Sequence, residues 1–178
     1  MPTRIPGRVV LSSAVMMVAL FGTAASVSWG QHGHGHAGGH QAAEVCSAEF
    51  DKVVGEGRGF GLAFAADQNG YPGPLHVLEL KDQLKLTADQ EAKAQGLLHA
   101  MFAESKPKSA RLLDAEAKLR RLFADRAADD AVLRAAVAEV ERARGAVRLV
   151  HLLTHLKTRD LLTEDQRRIY HEARWSGR

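Results

Sequence analysis

The chain has 178 residues, enough for one domain with a leader but not for two full domains. Its single cysteine, Cys46, excludes an internal disulfide framework and a cysteine-rich zinc module, and 6% aromatic residues argue against a base-stacking nucleic-acid platform. The net charge is +3, and without Arg4 and Arg8 the balance is 22 basic against 21 acidic residues, too even to point to nucleic acid. The anomaly is nine histidines.

Met1 to Arg8 carries two arginines and no acid, Val9 to Ala25 is mostly apolar, and small residues follow up to Gly30. That order is a secretory signal peptide over residues 1–30. A retained anchor is the other reading, but 17 positions including two serines fall short of a spanning helix, which needs about 20 apolar residues. Export implies a periplasm-like compartment. Residues 31–69 read as a flexible linker. In Gln31 to His40, glycine alternates with histidine, cannot pack a core, and is either a loose metal-collecting tract or a solvated tail. Gln41 to Val54 fits a short helix. Gly55 to Gly61 lacks the Lys-Ser/Thr pair and the preceding strand of a phosphate loop and reads as linker. The cluster Asn69 to Pro74 marks where ordered helical structure begins.

From Leu75 onward nothing alternates with period two. Short helices are expected near Leu75 to Leu84 and Thr163 to Trp175, with long ones over Ala88 to Phe123 and Asp130 to about Arg159 and a turn at Asp125 to Asp130. Pro107 predicts a kink or break near Lys106. Leu86-Thr-Ala-Asp-Gln90 and Leu162-Thr-Glu-Asp-Gln166 are the same LTxxQ pattern, 76 residues apart. Each is a capping box, the threonine bonding the amide three residues on and the glutamine reaching back. At 1.5 Å per residue the long helices extend about 45 to 54 Å, too thin a pair to cover its own apolar stripes. The expectation for residues 70–178 is therefore an all-α domain, a long antiparallel helical hairpin with short flanking helices, dimeric along its length.

His151 and His155, spaced i, i+4, continue the stripe Leu133, Val137, Val140 and Val147, with Leu149, Leu152, Leu153 and Leu156 extending the apolar surface. Neutral imidazole is a common nitrogen ligand for Cu, Ni, Co and Zn, and such a pair supplies two donors from one helix. His76 with Glu79 (i, i+3) and Gln95 with His99 (i, i+4) are further candidates. The plainer alternative is that these rings pack at a helix interface with hydrogen-bonded nitrogens. His171, standing alone, reads as such. With no HExxH, no Ser-His-Asp signature and no nucleophile elbow, nothing asks for catalysis.

Leader, two LTxxQ tags and an all-helical hairpin together resemble the Spy/CpxP (LTXXQ-motif) family of exported stress-response proteins, over Gly70 to Trp175, and within it the periplasmic heavy-metal sensor and resistance (CnrX-like) branch. The resemblance implies a four-helix hooked hairpin, dimeric, exported and not an enzyme. It also implies a divalent metal site, only partly carried over: His151 matches a ligand histidine, His155 stands where that branch has methionine, and His76 matches a ligand on the first helix. Leu80 replaces a second histidine and Gln95 falls near a glutamate, with Glu79 or His99 as possible substitutes. The partner implied for such a sensor is a membrane-bound regulator. An ATP-independent chaperone holding unfolded clients is the rival function.

Overall fold

Residues 36–176 are described by a computed structural model, and every regular element among them is a helix. There are seven, where the family resemblance implied four: α1 His36–Gly55, α2 Phe64–Gln68, α3 Pro74–Glu79, α4 Lys81–Leu84, α5 Ala88–Ala124, α6 Asp130–Leu161 and α7 Glu164–Trp175. The expected leader lies outside the described residues, and none of the described helices is long and apolar enough to cross a membrane.

Local chemistry sets the helix ends. Thr87 and Thr163 accept hydrogen bonds from the Gln90 and Gln166 amides, and both glutamines return the bond to their threonine amides. Asp129 accepts from the Val132 amide at the start of α6, and Pro74 opens α3 where its missing N–H is not needed. The expected helix at Leu75 to Leu84 is interrupted at Leu80 and stops at Lys85, which takes the left-handed conformation (φ 50°). Pro107 does not break α5, which is continuous to Ala124; it leaves the Ala103 carbonyl without its helical donor.

α5 and α6 pack along one another, Glu116 pairing with Arg144 (2.8 Å) and Lys118 with Glu139 (2.9 Å). Small residues on α5 (Ala94, Ser105, Ser109 and Ala115) are buried and let the backbones approach. On α6 the buried Thr154 and Thr158 hydroxyls donate to carbonyls four residues back, so they need no partner elsewhere. The stripe expected on α6 is only partly the buried one. Val140 and Val147 are buried, but Val137, Leu149, Leu153 and Leu156 face outward.

Two apolar clusters form the core. One gathers Val54, Leu112, Ala115, Val140 and Val147, with Phe50 and Leu62 against them. The other gathers Val77, Leu84, Ala94, Leu162 and Tyr170, with Leu80 packed alongside. The first cluster corrects the reading of residues 31–69 as a linker. Val54 and Phe50 seat α1 on α5, and α1 begins at His36, inside the Gly/His tract expected to be unstructured. Helix propagation is cooperative, so a turn anchored by packed residues extends into poor helix formers. Gln31 to Gly35 of that tract lies outside the described residues.

At the second cluster the two capping boxes meet. Gln90 and Gln166 exchange amide hydrogen bonds (2.8 and 3.0 Å), Gln90 also donates to the Leu161 carbonyl (2.8 Å), and Gln166 donates to the Leu84 carbonyl (3.1 Å). With the threonine amides as the remaining donors, every amide valence of both side chains is used.

Candidate functional site

The chain between α1 and α3 passes over the buried face of α6 where His151 and His155 lie, only 4% and 8% exposed. Glycines make that approach possible. A Cβ on Gly59 would stand 3.1 Å from the His151 ring, and one on Gly73 would stand 2.9 Å from His155 Nε2. Gly57 takes φ +81°, and its carbonyl accepts from the Ser105 hydroxyl, which ties this loop to α5.

The two imidazoles are held differently. His155 Nδ1 lies 2.7 Å from the Tyr71 carbonyl oxygen. A carbonyl only accepts, so Nδ1 carries the proton and Nε2 is left with its lone pair. His151 Nε2 is buried with no hydrogen-bond partner. Both rings are pushed below the ordinary imidazole pKa, mainly by burial. For His151 the neighbouring His155 adds to that effect and the Gly57 carbonyl opposes it. For His155 the Tyr71 carbonyl and the Asp67 carboxylate oppose it, and His76 adds to it. Both are therefore neutral at pH 7, the form that ligates metals.

His76, on α3, lines the same cavity as the pair. Its Nδ1 lies 2.8 Å from Glu79 Oε2, so the carboxylate accepts from Nδ1–H and Nε2 is again left as the donor atom. Gln95 and His99, expected as further ligands, are not brought there. Both are exposed on α5, and Gln95 reaches only Glu91 (3.5 Å). The buried register of α5 runs through Ala94, Met101 and Ser105; at about 100° per residue, Gln95 and His99 turn about 100° and 140° away from Ala94. Glu79 touches His76 but does not line the cavity. Among the described residues, no three His, Cys, Asp or Glu side chains are grouped to hold a metal ion as they stand.

The cavity measures ≈ 630 Å³. Beside the three histidines it is lined by residues the sequence reading missed: Phe60 and Phe64 from the chain after α1, Phe102 from α5, Arg58, and Arg174 with Trp175 at the end of α7. Met101 of α5 is buried and also lines it. Only the glycines of residues 55–73 hinted that backbone comes close to something here. Asp67 anchors the wall: the buried Tyr170 hydroxyl donates to it, as does Arg174 at 3.3 Å. Burial holds the Tyr170 hydroxyl far above the ordinary phenol pKa, so it remains a neutral donor.

Chemically, this is a half-closed pocket with two buried neutral imidazoles and a third at its edge, each with a ring nitrogen free of hydrogen bonds, in a mostly apolar enclosure. Compared with family models, curated proteins and solved structures, the chain matches none, so its function is read from its own residues.

Proposed function

We propose that this is an exported binding protein for a divalent transition metal, of the heavy-metal sensor or resistance type, with His151 and His155 as ligands and His76 swinging in as the third. The observation that carries this reading is the His151–His155 pair: buried and neutral, one Nε2 unpartnered and the other exposed as a lone pair by the Tyr71 carbonyl. Orphaned polar atoms are rare in folded interiors and call for an explanation. An imidazole fixed through Nδ1 to a carbonyl or carboxylate, with Nε2 open, is the usual outer-shell arrangement of a ligating histidine. Nitrogen donors favour late first-row ions, with Cu(II) tightest and Ni, Co or Zn below it.

In this reading α5 and α6 form a helical hairpin. Two copies pair along the exposed apolar residues of α6, and metal binding stiffens the hairpin so that it docks on a membrane-bound regulator. The deciding experiment is calorimetric titration with Cu(II) and Ni(II). Replacing His151 and His155 together by alanine is expected to weaken the tight site at least a hundredfold; unchanged affinity defeats the assignment.

A second reading, an ATP-independent chaperone, is favoured by one observation: Leu149, Leu153 and Leu156 form an outward apolar stripe on α6. Suppression of client aggregation that does not respond to metal would support it.

A further inference from the structure

The cavity is much larger than an ion needs. One water occupies about 30 Å³ of liquid, whereas pockets for organic ligands run from about 300 to 1,000 Å³, and this one is ≈ 630 Å³. Its aromatic walls do nothing for an aquated cation. Phe60 and Phe64 are 45% and 49% exposed although each ring already packs edge-on, against Phe50 at 5.3 Å and Trp175 at 5.4 Å. Phe60 moreover sits at φ 39°, a conformation unfavourable for a bulky residue, which places its ring at the cavity.

Charge points the same way. Two or three neutral imidazoles leave a divalent ion its full charge, in a cavity lined by Arg174, by Arg58 (paired with Glu56) and by the exposed Glu49. Asp67 is already engaged by Tyr170 and Arg174, and the Arg174 Nε–H is buried without an acceptor. Asp67 is the buried carboxylate of the lining and is already used, and Glu49 stands at the exposed rim, so an anionic donor beside the rings would come from outside. The histidines also leave coordination positions open on a four- to six-coordinate ion.

Resting on the metal-site reading above, we propose that the ion is bound as the chelate of a free amino acid with an aromatic or large aliphatic side chain. The amine, having given its ammonium proton to water, and the carboxylate fill the open positions. A carboxylate oxygen accepts from Arg174, and the side chain lies among Phe60, Phe64 and Trp175.

The test compares two chelators with the same donor atoms. The full chain, with His32, His34, His36 and His40 replaced by alanine to silence the N-terminal tract, is dialysed against equimolar Cu(II) with radiolabelled L-phenylalanine or glycine. Phenylalanine is expected to be retained about tenfold or more tightly than glycine, as burial of one aromatic side chain requires. Phe60→Ala with Phe64→Ala is expected to abolish that preference while leaving the affinity for Cu(II) alone unchanged. Equal retention of the two amino acids by the parent chain, or a preference that survives both substitutions, overturns the proposal and leaves the metal site standing. Cu(II) alone binding equally well after His151→Ala and His155→Ala defeats the metal site and this proposal with it.

Discussion

Two clusters of polar side chains lie at the buried faces of this fold and are built on opposite plans. At the meeting of the LTxxQ tags, Gln90 and Gln166 satisfy each other, both threonine amides, and the Leu161 and Leu84 carbonyls. At the cavity, His151 Nε2 and Arg174 Nε are buried without partners and Phe60 is held in an unfavourable backbone conformation. The saturated cluster has nothing left to offer a ligand, so its role is to hold the starts of α5 and α7 together. The unsaturated one costs stability as it stands, a cost that a bound ligand would offset.

The contrast can be broken from either side. The largest expected effect on stability is at the saturated end. Gln90→Glu removes two donors, places a carboxylate against the Leu161 carbonyl and Gln166 Oε1, and should destabilise the fold by about 3 kcal/mol in urea unfolding. Metal affinity per folded molecule should not change. Next is Gly73→Ala: a Cβ 2.9 Å from His155 Nε2 must displace the ring. A loss of about 1 to 3 kcal/mol is expected, with metal affinity reduced about tenfold, both readable from melts with and without metal.

A smaller effect is the response to acid. With folded-state pKa values below the ordinary 6.5, the unfolded rings take up protons first as pH falls. The stability contributed by the two histidines is therefore intact above about 6.5 and declines as pH drops toward the folded-state values. Replacing both by alanine should flatten that part of the stability–pH curve. Metal affinity should likewise hold to a lower pH than a free imidazole permits, checked by titration between pH 5 and 7. Smallest is Glu79→Gln, which leaves a weaker acceptor for His76 Nδ1–H; a loss of a few-fold in metal affinity with no change in melting temperature is expected.

Much of the fold was legible because its determinants are local. Thr87, Gln90, Thr163, Gln166, Asp129 and Pro74 act within one helical turn, and the ends of α5, α6 and α7 follow within two residues of the expected positions. The helix expected over Gln41 to Val54 is part of α1, but the packing of residues 36–69 was missed because glycine content signals freedom only when nothing packs against the backbone, and here Val54 and Leu62 pack on the long helices. Of the six candidate ligands, His76, His151 and His155 share a cavity, since a helical i, i+4 pair and a helix starting at Pro74 place them. Gln95 and His99 failed because the spacing of a pair does not say which way its helix face turns; the buried register of Ala94, Met101 and Ser105 decides that.

From composition and local pattern alone, this chain was bound to be helical, to start α5 and α7 at two threonines, and to carry two imidazoles on one face. Tertiary structure alone decided that the Tyr71 carbonyl would choose the tautomer of His155, that Gly59 and Gly73 would lie against the rings, and that Phe60 and Trp175 would wall the space beside them. The reason is that every residue carries a backbone carbonyl, and a glycine permits a close approach without saying what will make it. Their chemistry is set by which distant segment they meet.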